Sequence, residues 1–206
     1  MMLKEQQNYK KYGLPKEHYC NKMKTLQECD FVTAANLLGC EVAAIKAVAE
    51  VESNGGGFLS SGEPKILFEG HYFYELTKGR FGISNVSYPK WISTYYNQNQ
   101  HERLAKAVKL DRDAALQSAS WGKFQIMGKH WKKLGYDSLQ SFITAMYANE
   151  TEHLMAFVKY VKVFGLADEL KRKDWAGFAK GYNGSGYAKN KYDQKMKTAY
   201  EKFSKK

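Results

Sequence analysis

Apolar residues recur at helical spacing along most of the chain, and the helices they predict differ sharply in what they carry on the buried face. Asp30 stands as a cap before Phe31-Val32-Thr33-Ala34-Ala35-Asn36-Leu37-Leu38, an apolar turn-and-a-half that Gly39 stops. A second helix follows through Val51 and Glu52. On a wheel of 100° per residue Ile45 falls within about 20° of Glu52, Val48 within about 40° and Ala49 within about 60°. Glu50 points the opposite way, so it faces water while Glu52 shares the stripe that must be buried. From Phe58 the period changes. Ser60-Ser61-Gly62-Glu63-Pro64 is turn chemistry and Lys65-Ile66-Leu67-Phe68-Glu69 a short β-prone run, which predicts a small hairpin or an irregular β segment. A short helix over 71–77 and a long aromatic loop to residue 100 come next. Helical spacing then returns at 101–109, at 112–119 behind the cap Asp111, in a long pair over 138–164, at 174–182 and at 189–203.

This pattern predicts one α+β domain, mostly α, over residues 28–206. Residues 1–27 are polar and basic with a Gly-Leu-Pro break at 13–15, and read as an N-terminal extension too short for a domain. Without an apolar leader at the N-terminus or a run near the roughly 20 residues of a membrane span, neither a signal peptide nor a transmembrane helix is expected. Cys20, Cys29 and Cys40 show no paired spacing and read as free thiols, a bridge between Cys20 and Cys29 being the less favoured alternative. His18, His71, His101, His130 and His153 lack the spacing of a ligand pair, so no metal and no cofactor is expected. The formal charge of +11 favours an anionic partner. No finger spacing, helix-turn-helix or RNA-binding signature accompanies it, which argues against nucleic acid. The lysines of 189–206 form the polar face of a docked amphipathic helix suited to an anionic cell-envelope surface.

Glu52 has two readings: a partly exposed helix-end residue before a flexible glycine turn, or a general acid. A carboxylic acid on an apolar stripe loses hydration, its pKa rises, and it becomes a proton donor at neutral pH. Gly55-Gly56-Gly57 end the helix and leave room for a ligand beside the acid.

Three separated segments share a pattern: Glu52-Ser53 after an apolar helix, Ser120-Trp121-Gly122-Lys123-Phe124-Gln125-Ile126-Met127-Gly128, and Gly181-Tyr182-Asn183-Gly184. Their order and spacing resemble the motifs of goose-type lysozymes and soluble lytic transglycosylases. The run from about Val32 to Phe203 is more closely similar to the N-acetylmuramidase domain of bacteriophage and prophage endolysins. The resemblance implies a lysozyme-like fold, with a helical lobe and a small β-hairpin beside a cleft. It also implies cleavage of the β-1,4 bond between N-acetylmuramic acid and N-acetylglucosamine in peptidoglycan. Glu52 would be the acid; Ser53, Gln125, Tyr182 and Asn183 would line the cleft or position the acid or the sugar, and Trp121 or Phe124 would stack on a pyranose face, with core packing the other reading of Trp121. It further implies a monomeric enzyme made in the host cytoplasm and released to the periplasmic wall through a separate pore.

A glycosidase ordinarily needs a second carboxylate. Glu69, at the end of the β-prone run, is the candidate, though a cap of the next helix beside His71 is the stronger reading of that residue; Glu63 is a lesser candidate. Without a second carboxylate the site fits the transglycosylase plan, in which one glutamate is acid and then base and the product carries a 1,6-anhydromuramic end. A non-catalytic wall-binding protein is the remaining alternative, and it predicts that Glu52→Gln leaves activity intact.

Overall fold

The structure, a computed structural model, describes residues 24–53 and 55–205. Ten α-helices surround a three-stranded antiparallel sheet among these residues. Helix α1 (Glu28–Leu38) opens on a capping box in which Asp30 accepts from the Gln27 N–H at 2.8 Å. Asp30 therefore sits inside the first turn, two residues past the start, and Gly39 closes the helix at φ +65°. Helix α2 (Val42–Ser53) buries Ala44, Ile45, Ala47, Val48 and Ala49. Glu50 is exposed and pairs with Lys202 at 2.7 Å, as the wheel requires.

Strand β1 (Ile66–Phe68) does not close a local hairpin. Its partner is β2 (Ala119–Trp121), in register Ile66–Trp121, Leu67–Ser120 and Phe68–Ala119, and β2 turns back into β3 (Ile126–Met127). The hairpin of this fold is thus the Ser-Trp-Gly-Lys-Phe-Gln-Ile-Met segment, and residues 58–64 add only the single bridge Phe58–Pro64. Three residues of β1 make too little contact in a two-stranded ribbon, whereas the third strand and the helices behind it supply a buried face.

Between β1 and β2 run α3 (Gly70–Leu76), a loop to residue 99, α4 (Gln100–Val108) and α5 (Arg112–Gln117). Asp111 caps α5 through the Ala114 N–H at 3.0 Å. Helices α6 (Leu139–Ala148) and α7 (Glu150–Val163) fill the expected long pair. A short α8 (Ala167–Arg172), absent from the periodicity reading, precedes α9 (Trp175–Asn183). Helix α10 (Tyr192–Ser204) lies against α2 with Met196 and Ala199 buried, so the basic C-terminal segment is docked. No single helix among the described residues is long and apolar enough to cross a membrane.

Two expectations about the N-terminal part change. Cys29 is disulfide-bonded, which overturns its reading as a free thiol: spacing along a chain does not report which Cβ atoms meet in space. Cys40 is free, and burial pushes its thiol up to about 11; Cys20 lies outside the described residues. Most of the extension, residues 1–23, lies outside them too. Its last residues are tied to the domain: Leu26 donates its N–H to Glu150 at 3.2 Å, and the Lys24 carbonyl accepts from the Glu150 N–H at 3.0 Å.

Arg103 holds the long loop. It is 2% exposed and spends all five N–H donors. Nε and Nη2 reach the Asn85 carbonyl at 3.2 and 2.8 Å, and Nη1 reaches the Phe68 carbonyl and Gln100 Oε1, both at 2.9 Å. Nη2 also reaches the Tyr88 hydroxyl at 3.2 Å. The loop is thereby welded to β1 and α4. Arg103→Ala should lower stability by about 4 kcal/mol, since two buried carbonyls lose their donors and a large void opens. Urea unfolding at pH 7 measures this.

Candidate active site

Glu52 ends α2 at the mouth of a cleft of about 680 Å³. Ser53, Leu59, Lys65, Ile66, residues 97–101, Gly122, Lys123 and Gln125 form its walls. The carboxyl group is largely enclosed by protein, and that burial raises its pKa to about 7. Asn183 Nδ2 donates to Glu52 Oε1 at 3.0 Å, and this bond and the Lys195 ammonium each hold the pKa lower than burial alone would. The acid is thus half protonated near neutrality, where a general acid is most effective.

Asn183 comes from the C-terminal end of α9. Its neighbour Tyr182, close enough to feel the Glu52 charge, donates its hydroxyl to the Phe124 carbonyl at 2.7 Å. One turn of α9 therefore grips the acid with Asn183 and the β2–β3 turn with Tyr182. Asn183→Ala removes the bond that stabilises the carboxylate, so the alkaline limb of the pH–rate profile should move upward. Loss of positioning should lower kcat by about 10-fold. Steady-state rates from pH 5 to 9 check both.

The β2–β3 turn is built around Gln125, which adopts φ +49°. Its side chain pays for this left-handed backbone: Oε1 accepts from the Ser120 hydroxyl at 2.8 Å, and Nε2 donates to the Gly122 carbonyl at 2.8 Å. Gln125 lines the cleft as a bracket of the turn, with its amide groups engaged by the protein. Ser53 also lines it, and its hydroxyl bonds back to the Ala49 carbonyl within α2.

Trp121 does not belong to the cleft. It is 1% exposed, its indole N–H donates to the Leu116 carbonyl at 3.1 Å, and its ring packs near Tyr147. The expectation that Trp121 contacts the sugar is corrected in favour of core packing, the other reading of this residue, since it stands in a strand buried along its whole length. Phe124 is likewise buried, stacked on Phe157 at 4.8 Å.

Glu69 occupies the N-cap position of α3 without a side-chain cap bond. Its carboxylate accepts from the Tyr96 hydroxyl at 2.9 and 3.0 Å and lies 3.4 Å from His71 Nδ1. It is not among the residues that line the Glu52 cleft. Glu63 pairs with His101 at 3.6 Å and with the Ser61 hydroxyl at 2.9 Å, outside the lining. Glu52 is the one carboxylate on those walls among the described residues.

Periodicity missed the group that holds the loop after Glu52. Glu150 is 3% exposed, and accepts from the Gly57 and Leu26 N–H groups while lying 3.4 Å from Lys123 Nζ. Lys123 in turn donates to the Gly55 carbonyl at 2.8 Å. Behind them the buried His153 accepts the Lys123 N–H on Nδ1 at 3.0 Å and donates from Nε2 to the Met146 carbonyl at 2.8 Å. This is the neutral tautomer, and burial lowers the pKa accordingly. A Cβ on Gly57 would stand 2.5 Å from the His153 ring, and one on Gly122, at φ +70°, would stand 2.7 Å from it. Gly57 thus serves the fit to His153 rather than ligand access. The sequence signal for Glu150 was only that of an acid in a first helical turn behind Asn149, a pattern usually found on surfaces.

Residues 41–204 match the N-acetylmuramidase family model. The chain belongs to that family. Among solved structures, this muramidase is similar to the crystal structure of the endolysin of Burkholderia AP3 phage. The two share 39% sequence identity at a TM-score of 0.83, over 88% of this chain and 72% of that one. No curated protein matches it. The muramidase is a peptidoglycan-degrading enzyme, with the mostly helical lysozyme-like architecture expected from the motifs. Its matched segment contains Glu52, the β2–β3 turn and Asn183, so the family's extent and the cleft coincide.

Proposed function

We propose that this muramidase is an endolysin that cleaves the β-1,4 bond between N-acetylmuramic acid and N-acetylglucosamine, with Glu52 as general acid. The observation that carries the reading is a carboxyl group raised to about 7, fixed by Asn183 at the edge of an open cleft. Glu52 gives its proton to the glycosidic oxygen as the bond to the muramic anomeric carbon breaks, and positive charge develops on the ring. Gln125 and the backbone around Gly122 shape the wall beside the sugar. Lys65 and Lys123 place positive charge along it, suited to the carboxylates of peptide stems.

Two fates of the anomeric centre follow from the position of Glu69. In hydrolysis water attacks, and Glu69 is the group to activate it; its engagement by Tyr96 means that loop 89–99 must yield for it to do so. That Glu52 is the one carboxylate on the cleft walls among the described residues favours a second reading. Glu52 would first protonate the leaving oxygen and then, as carboxylate, accept the muramic O6 proton while O6 closes on the anomeric carbon, assisted by the N-acetyl group.

Turnover of purified peptidoglycan by wild type and Glu52→Gln, with ends identified by mass spectrometry, tests the assignment. Reducing muramic ends from the wild type mark hydrolysis, and 1,6-anhydromuramic ends mark the single-glutamate route. Undiminished turnover by Glu52→Gln refutes both and leaves Glu52 without a chemical role.

A further inference from the structure

Loop 89–99 carries a feature that the proposed chemistry leaves unused. Trp91 is 59% exposed, whereas Trp121 and Trp175 are buried. Its indole is nevertheless fixed: Nε1 donates to the Tyr96 hydroxyl at 2.6 Å, with the two rings edge to face at 88°. That hydroxyl donates in turn to Glu69. The backbone on either side of Tyr96 is fixed as well, because Gln100 Nε2 donates to the carbonyls of Tyr95, Tyr96 and Gln98 at 2.9, 3.1 and 2.7 Å. Residues 97–100, one peptide unit beyond Tyr96, are a wall of the Glu52 cleft.

An exposed apolar side chain by itself is ordinary. One clamped through a hydroxyl to a carboxylate, on a loop continuous with a cleft wall, is a prearranged surface. A flat face held in one orientation offers apolar area without the entropic cost of ordering it on binding. The chemistry alongside suits a carbohydrate: Asn97 and Gln98 are exposed amide side chains, able to donate to and accept from sugar hydroxyls, while Asn99 caps α4 through Glu102.

We propose that Trp91 is a carbohydrate-stacking platform that extends the Glu52 cleft along the 97–100 wall and takes a pyranose ring of the glycan strand beyond the scissile bond. The inference rests on the muramidase reading for the identity of the polymer. Tyr96 is the positioning residue that holds the platform.

Binding is read with soluble, uncrosslinked glycan strands titrated into the Glu52→Gln protein while tryptophan fluorescence is followed. The strands should perturb the emission, and adding Trp91→Ala should remove most of that change and weaken binding about 10-fold, with Trp91→Phe recovering affinity to within about threefold. In the active enzyme Trp91→Ala should raise KM for the strands about 10-fold while kcat falls less than twofold, and Tyr96→Phe should raise KM by about threefold. Leu110→Ser, at an exposed apolar residue away from the cleft walls, should keep the wild-type KM. Wild-type KM and affinity in Trp91→Ala would overturn the platform, as would failure of the Glu52→Gln protein to bind strands. Cleavage with no dependence on Trp91 sinks this inference and spares the chemistry; Trp91-dependent binding without cleavage does the reverse.

Discussion

Glu52→Gln should lose about 10³-fold or more in peptidoglycan turnover and, at pH 8, gain about 3 kcal/mol of stability. Both effects come from the same burial. The folded protein holds this carboxyl at about 7 against an ordinary value of 4.5, so between those two values the native state binds more proton than the unfolded chain. The stabilisation is complete below pH 4.5, declines as pH rises through this window, and is gone above about pH 7. Glutamine mimics the protonated form and keeps an oxygen for the Asn183 amide, so its stability carries no such slope. Thermal or urea unfolding of the pair from pH 4 to 8 should show curves that meet at the acid end and diverge at the alkaline end. Other titrating groups, including His130 held down to about 4 by burial, affect both proteins alike and cancel in the difference. Wild-type activity should fall above pH 7 as Glu52 loses its proton. Parallel stability profiles, or lysis by the glutamine variant, would contradict the assignment.

Glu150→Ala should cost about 4 kcal/mol and reduce turnover at temperatures where the variant is still folded. The carboxylate is the shared acceptor of Gly57 from the loop after α2 and of Leu26 from the N-terminal strap, and it is the counter-ion of Lys123. Removing it leaves two backbone donors without their acceptor and the Lys123 ammonium, still bonded to the Gly55 carbonyl, without its counter-ion. Gly55–Gly57 follow Glu52 closely, so the same change loosens the acid. Adding Lys123→Met should return more than 1 kcal/mol, because the stranded charge is then removed as well. Urea titrations of the four members of this cycle, with lysis rates alongside, measure the coupling. A cost under 1 kcal/mol for Glu150→Ala would show that water replaces the carboxylate and that the clamp is incidental.

Much of this was legible in the chain because helices announce themselves locally. The apolar stripe of α2 placed Glu52 inward and Glu50 outward, and Asp111 and Gly39 marked ends that the structure keeps. Three motifs named the elements of the cleft before any contact was known. Periodicity reports which face of an element is buried, not what it meets. Hence the partner of β1 came from Ala119–Trp121 rather than from the adjacent turn, and Trp121, plausible as a sugar contact, proved to be core.

The sequence by itself determined the helical composition, the inward aim of Glu52, and the family to which its motifs belong. Tertiary structure alone decided that Asn183, 131 positions away and expected at the cleft from its motif, would bond the acid itself, and that Glu150, Lys123 and His153 would fix the loop beside it. It also set Glu69 behind Tyr96 and outside the cleft walls. The physical reason is common to all of these. Hydrophobic spacing acts over a few residues and selects a face, whereas the raised pKa of an acid depends on desolvation by everything that the fold brings against that face.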